Sequence, residues 1–440
     1  MIPSSGEAAI MEGLELRHAT SRLGDTGIKG DNEYRSQPNE RQTLLYGTIG
    51  LGLIFCSIFL PPVSSSLSLG VPSIIWQALR AGAMVMWLVC LLRSVIRRET
   101  IPTTRFFTTL IIVGISAPLA TLSLLEDNAS YQVVAISLLA AGVGVTLGPP
   151  VYSSVLLWFR GYCLLVVAGI LGFGAVGYTW RRSDEREVII ASALNQRLQG
   201  FLAHPNLAGQ LLVIGIFLEI IILRRSSSDA NRRTLPVVLS VAIISCELLL
   251  LLMTNSRTSA VALAVGLLAF ALPGSLRKWT AIIALAVSLG PALVVLARGL
   301  GFADDYRFPP GLFTGRGLIW TVSEDALVDN FVLGVGPTQS IKTSEQSYTL
   351  FSVVDAPHAH NFFLESWLVT GLVGVLAAVV AVGYLLLAQP LSRDSALLVV
   401  PVLVFSLTEV PLIAVSGSAG AIISVAFFAA LTKRSSGDSE

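Results

Sequence analysis

Twelve apolar stretches, each near the ~20 residues that a helix needs to cross a bilayer core, follow one another between residues 43 and 432. They run roughly over 43–61, 72–92, 106–125, 131–148, 155–178, 205–223, 235–253, 258–273, 279–298, 362–388, 395–413 and 415–432. In hydrocarbon every backbone N–H and C=O must be paired inside the protein, so stretches of this length are helices. Pro118 and Pro401 fall within them, and membrane helices accommodate such residues because neighbouring groups re-satisfy the backbone. Charged residues make up 13% of the chain, against about 25% in soluble domains, which excludes a water-soluble enzyme. A net charge of +1 gives no basic excess for nucleic acid. Cys56, Cys90, Cys163 and Cys246 are far apart and inside apolar stretches, so they read as neither a disulfide frame nor a metal site. The expected fold class is an all-α polytopic membrane protein of about twelve helices.

Residues 1–42 are polar and without hydrophobic period, and are expected to be a disordered tail. With that tail placed in the cytoplasm, fourteen Lys and Arg of the spans and their short loops fall on the inner side, nineteen with the tail, and ten outside. This is the bias that sets membrane orientation. Both termini, 433–440 included, are then cytoplasmic. The transmembrane domain covers 43–432, with two long outer loops at 179–204 and 299–361. A loop of ~60 residues among short connections is usually functional. Inside it, Leu318, Ile319, Val322, Ala326 and Leu327 recur at helical spacing, predicting an amphipathic helix on the outer membrane face.

The residues able to do chemistry collect at this outer side. Of four histidines, His18 is in the tail and His204, His358 and His360 lie at outer helix mouths. Histidine is the commonest general base near neutrality; the plain alternative is an interfacial hydrogen-bonding residue. His360 is favoured because Asn361 follows it, a residue type that caps helix starts and would fix where His360 points. His358 is two residues away and is kept as a spare. Arg197, Arg257 and Arg316 sit near outer mouths, where arginine either snorkels to headgroups or forks onto phosphate oxygens. Three such arginines on one cavity would suit a diphosphate. Among carboxylates, Glu219 and Glu247 lie inside spans, where ionisable groups are functional suspects. Glu219 is five residues from Arg224, a candidate partner, and Glu247 has none evident. Glu365 and Glu409 near outer span ends are candidates to line the cavity. Asp304 and Asp305 are adjacent, but no second ligand cluster supports a metal site, and no Walker or Rossmann motif is present.

The run HNFFLESWLVTGLVG, His360 to Gly374, resembles the signature of the O-antigen ligase and O-antigen polymerase superfamily: a His, an Asn, Ser or Gln, nine residues, a Gly, two residues, and a Gly, Thr or Tyr. RLQGFLAHPN from Arg197, NSRT from Asn255, GRGLIW from Gly315 and GVGP from Gly334 also resemble that family. The resemblance implies a GT-C-like, metal-independent membrane glycosyltransferase without cofactor. It implies a polyprenyl-diphosphate-linked glycan as donor and a saccharide or lipid-saccharide as acceptor. It further implies His360 as the base and Arg197, Arg257 and Arg316, with Asn361, as the diphosphate or substrate contacts. Glu365 and Glu247 stay secondary candidates. The expected setting is the cytoplasmic membrane, with polysaccharide export or assembly proteins as possible partners. A multi-span transporter and a non-catalytic scaffold of a polysaccharide assembly are the competing readings; transporters usually show inverted repeats and broken helices, and here no internal repeat is evident and the unusual residues gather at the outer face.

Overall fold

The computed structural model describes parts of 160–171, residues 179–181, 196–198, 205–227 and 234–302, most of 307–335, 359–411 except 389, and four residues from 423 to 431. The tail 1–42, the four spans expected before residue 149, His204, His358, Asp304, Asp305, residues 433–440 and most of the first outer loop lie outside the described residues.

A two-stranded antiparallel hairpin, β1 (Thr179–Arg181) and β2 (Gln196–Leu198), pairs Trp180 with Arg197. Among the described residues seven continuous helices follow: α1 (Pro205–Ser227), α2 (Thr234–Thr254), α3 (Arg257–Ala271), α4 (Gly274–Gly299), α5 (Arg316–Val328), α6 (Phe362–Ala388) and α7 (Arg393–Thr408). Among the described residues, four helices, α1, α2, α4 and α6, are long and apolar enough to cross a membrane. α3 and α7, with 15 and 16 residues, coincide with two further expected spans. α4 starts five residues before its expected span, at Gly274. The reason is that its first-turn cations find acceptors at the end of α6: Arg277 donates to Leu391 O at 3.1 Å and Lys278 to Leu387 O at 2.8 Å. Leu387 lies in the last turn of α6, where carbonyls lack intrahelical donors, and Leu391 lies three residues past the end of that helix.

Burial sorts the bundle into a centre and a perimeter. α7 is buried around its whole circumference, from Asp394 to Thr408, as is most of α1; a helix apolar on all sides is a core helix. α2, α3, α4 and α6 keep one flank open, exposing Leu249, Leu252, Leu268, Ile283 and Leu387, residues that only lipid would welcome. Gly266 lets α3 close on α1 and α7, since a Cβ there would meet the Phe217 ring and Pro401. α7 runs between these neighbours and ends at Glu409, whose φ of −148° and ψ of 176° leave the helix.

α5 is the amphipathic helix of the long loop. It buries Ile319, Trp320, Val322 and Leu327 and exposes Asp325 and Val328. Its Glu324 is ion-paired with Arg298 at the end of α4, although burial pushes that carboxyl above its usual range, against the pull of Arg298.

α6 is broken at Gly371, where φ is 70° and ψ −172°, a region open essentially to glycine alone. The chain at 331–335 docks into that break: Leu372 N donates to Phe331 O at 3.2 Å and Val335 N to Leu368 O at 2.7 Å. Gly334, at φ 73°, faces Leu368 O and Gly371 N so closely that a Cβ has no room, and Gly371 faces Val332 O in the same way. The two glycines thus interlock. Gly371→Ala should lower stability by about 2–4 kcal/mol, read as a drop in thermal unfolding temperature in detergent. Gly383→Ala, in the same helix with nothing within 4 Å of a new Cβ, should shift it by less than about 1 kcal/mol.

Candidate functional site

The starts of α1, α3 and α6 meet the end of α7: Asn206 bonds Glu409, Thr258 bonds Thr408, and Asn361 donates to Leu407 O. At that end the chain gathers its polar residues around Glu409. Its Oε1 accepts from Arg316 Nη2 at 2.5 Å and from Asn206 Nδ2 at 2.7 Å. Its Oε2 faces His360 Nδ1 at 3.3 Å. Glu409 is 7% exposed. A carboxylate so placed, accepting from a guanidinium, stays ionised and can only accept. The proton on the His360–Glu409 contact therefore belongs to Nδ1; in the neutral ring the lone pair is then on Nε2. A carboxylate that fixes the tautomer and direction of an imidazole is the arrangement that makes a histidine a competent base.

The arginines are seated by backbone carbonyls. Arg316, the first residue of α5, donates through Nε to Thr408 O at 2.8 Å and through Nη1 to Phe313 O at 3.1 Å. With its bond to Glu409 that commits three of its five N–H groups. Arg197, from β2, donates to Thr254 O at 2.9 Å, Asn255 O at 3.3 Å and Asn206 Oδ1 at 2.6 Å. Asn206 thereby links Arg197 to Glu409. Arg257 opens α3 and is exposed, and among the described residues no hydrogen bond or ion pair holds it. It is nevertheless part of this end, because the next residue, Thr258, pairs its hydroxyl with that of Thr408 at 2.9 Å.

Backbone strain gathers in the same place. Among the described residues the non-glycine positions with positive φ are Asn255 (48°), Phe313 (47°) and His360 (50°). Left-handed backbone costs an L-residue roughly 1–2 kcal/mol. Two of these residues supply the carbonyls that hold Arg197 and Arg316, and the third is the histidine itself.

Asn361 is wholly buried. Its Oδ1 caps α6 by accepting from Leu364 N at 2.9 Å, and its Nδ2 donates to Ser288 O and Leu407 O at 2.9 and 3.1 Å. Its amide is committed to the fold, so it fixes the start of α6 instead of facing a substrate. Glu365, expected at the cavity wall, is also fully buried, accepting from Ala359 N at 2.7 Å. Glu219 does not pair with Arg224. Five residues apart on a helix they do not share a face; Arg224 pairs with Asp394 at 3.0 Å, and Glu219 with Arg160 at 2.6 Å. Glu247 is buried on α2 where Gly215 leaves room for its carboxyl, seven residues from the end of the helix and so about 10 Å below the polar cluster. Its Oε2 has no hydrogen-bond partner among the described residues. Among the described residues no three His, Cys, Asp or Glu come together in a way that could hold a metal ion.

A bundle whose described part holds four helices long and apolar enough to cross a membrane is that of a membrane protein, and its polar cluster gathers at the end of α7. Residues 240–379 match the family model described as O-Antigen ligase, and over that segment the chain is similar to that family. No curated protein matches the chain. The matched segment contains Arg257, Arg316, His360 and Gly371. Arg197, Asn206 and Glu409 lie outside it and are brought to it by the fold.

Glu409→Ala should destabilise the folded protein by about 3–5 kcal/mol, the cost of leaving a buried cation unpaired. Combined with Arg316→Ala, the loss should fall well short of the sum of the two single losses. Thermal unfolding of the four proteins in detergent completes this cycle.

Proposed function

We propose that the chain is a membrane glycosyltransferase of the O-antigen ligase or polymerase type, acting in polysaccharide biosynthesis. It moves a glycan from a polyprenyl-diphosphate carrier to an acceptor hydroxyl at the outer face of the cytoplasmic membrane, with both termini inside. The observation that carries this reading is His360 held by Glu409 beside Arg316, within a chain matched to the O-Antigen ligase family.

In this mechanism His360 Nε2 takes the proton of the acceptor hydroxyl as its oxygen attacks the anomeric carbon. The bond from that carbon to the diphosphate oxygen breaks on the opposite side, inverting the centre, and the electron pair leaves with the lipid diphosphate. The positive charge that His360 gains is compensated by Glu409. Arg257, exposed and unpaired among the described residues, meets the diphosphate, together with the uncommitted N–H groups of Arg316, and Arg197 supports them from behind Asn206. Guanidinium groups aimed at the developing charge supply what a divalent cation does in other glycosyl transfers. The starts of α1, α3 and α6 add the positive ends of three helix dipoles at the same surface. Ligation and polymerisation share this chemistry and differ in the acceptor. The transport reading draws on the intramembrane Glu219 and Glu247; what supports transfer instead is that the left-handed turns at Asn255, Phe313 and His360 accompany the polar cluster around Glu409.

Three variants test it in vesicles supplied with the host's lipid-linked glycan. His360→Ala should cut transfer by about 10²–10⁴-fold while the protein stays folded; transfer at a normal rate would remove the assignment. Arg316→Lys, which loses the fork but not the charge, should lower kcat by about 10²-fold. Arg257→Ala should raise KM for the donor about tenfold, the equivalent of one charged hydrogen bond.

A further inference from the structure

His360 is a left-handed residue between two residues that are completely buried, Ala359 and Asn361. Asn361 is fixed by its capping and amide bonds. Ala359 is fixed at both of its backbone groups: its N–H donates to Glu365 Oε2 at 2.7 Å, and its C=O accepts from Trp320 Nε1 at 3.0 Å. That carbonyl belongs to the peptide leading into His360. The Trp320 ring is itself gripped, with Phe308 edge-on at 5.3 Å and Phe313 tilted at 5.6 Å. An unaided peptide would relax out of a positive φ, so something must over-determine it.

We propose that Trp320 and Glu365 are positioning residues for His360. They hold Ala359 so that the chain enters the left-handed turn that aims Nδ1 at Glu409. The proposal rests on the reading of His360 as the base, but the alignment it describes exists whether or not glycan is transferred. Glu365 acts as a hydrogen-bond acceptor and not as an acid, since it touches backbone alone among the described residues. Trp320 stands one turn after Arg316 on α5, and residues four apart share a helix face. The seating of α5 therefore sets the anion contact and the direction of the base together, and a substrate that presses on Arg316 also tightens His360.

The test uses the full chain in lipid nanodiscs with nitrogen-15 histidine. Solid-state NMR reads the hydrogen-bonded Nδ1–H of His360, assigned by its absence in His360→Asn. Trp320→Phe, which deletes the N–H donor and keeps a ring, should abolish or broaden that signal, and so should Glu365→Leu. Glu365→Gln, which keeps an acceptor, should restore it. In the transfer assay Trp320→Phe and Glu365→Leu should lower kcat by about 10²-fold with KM unchanged, the cost of misplacing a catalytic group by ~1 Å. Glu365→Gln should stay within a few-fold of the unaltered protein. Paired with Glu409→Gln, the Trp320→Phe loss should be less than multiplicative, because both act through His360. A normal Nδ1–H signal in folded Trp320→Phe overturns the proposal, as does equal damage from Glu365→Gln and Glu365→Leu. If Glu365→Leu does not fold, Trp320→Phe decides. Unaltered transfer by His360→Ala would remove the base assignment instead, and the NMR signal would still judge the positioning.

Discussion

A carboxylate at the end of a wholly buried helix keeps its charge only if other parts of the chain bring donors to it, and the polar end of this bundle is organised by that need. Glu409 draws Asn206 from the start of α1, Arg316 from the start of α5 and His360 from the start of α6. A buried charge that loses its partners costs several kcal/mol, so these three helix starts are held in a common register. Arg197 enters through Asn206, which extends the constraint to the hairpin. The network is thus a positional device as much as an electrostatic one. The helices it ties together are apolar and slide past one another easily; the hydrogen bonds at the end give them a stop.

The helices were legible where periodicity and length spoke clearly. The apolar lengths of α1, α2 and α6 lay on the page as spans, the spacing from Leu318 to Leu327 announced α5, and Asn361 announced the cap of α6. The partners of the charges were not legible. Glu409 is separated from Asn206 by 203 residues and from Arg316 by 93, and no local rule links such positions. The pairing of Glu219 with Arg224 failed for the same reason: proximity in sequence stood in for proximity in space, while the real partner, Arg160, came from another segment. Glu365 misled differently. Its place near a helix start suggested a cavity wall, but an acid in the first turn of a helix can also turn back to bind the preceding backbone, as it does at Ala359.

Strain supplies a second signal, visible only in three dimensions. Asn255, Phe313 and His360 are far apart in sequence, yet their left-handed turns meet at one end of the bundle. Asn255 and His360 are residue types that visit this conformation more often than most; Phe313 is the outlier. Two of the turns exist to point a carbonyl at an arginine, and the third points a ring at a carboxylate. The folding energy of the bundle is spent here on direction, leaving the side chains with little reorganisation to undergo when charge develops beside them.

The interlocked Gly334 and Gly371 and the pinned Ala359 have a consequence for how such a protein can diversify. They fasten residues 335 and 359 to the same helix, α6, through Leu368 O and Glu365 Oε2. The entropic cost of closing a loop grows only logarithmically with its length. A change in the number of residues between these two attachment points therefore adds little to the cost of closing the chain there.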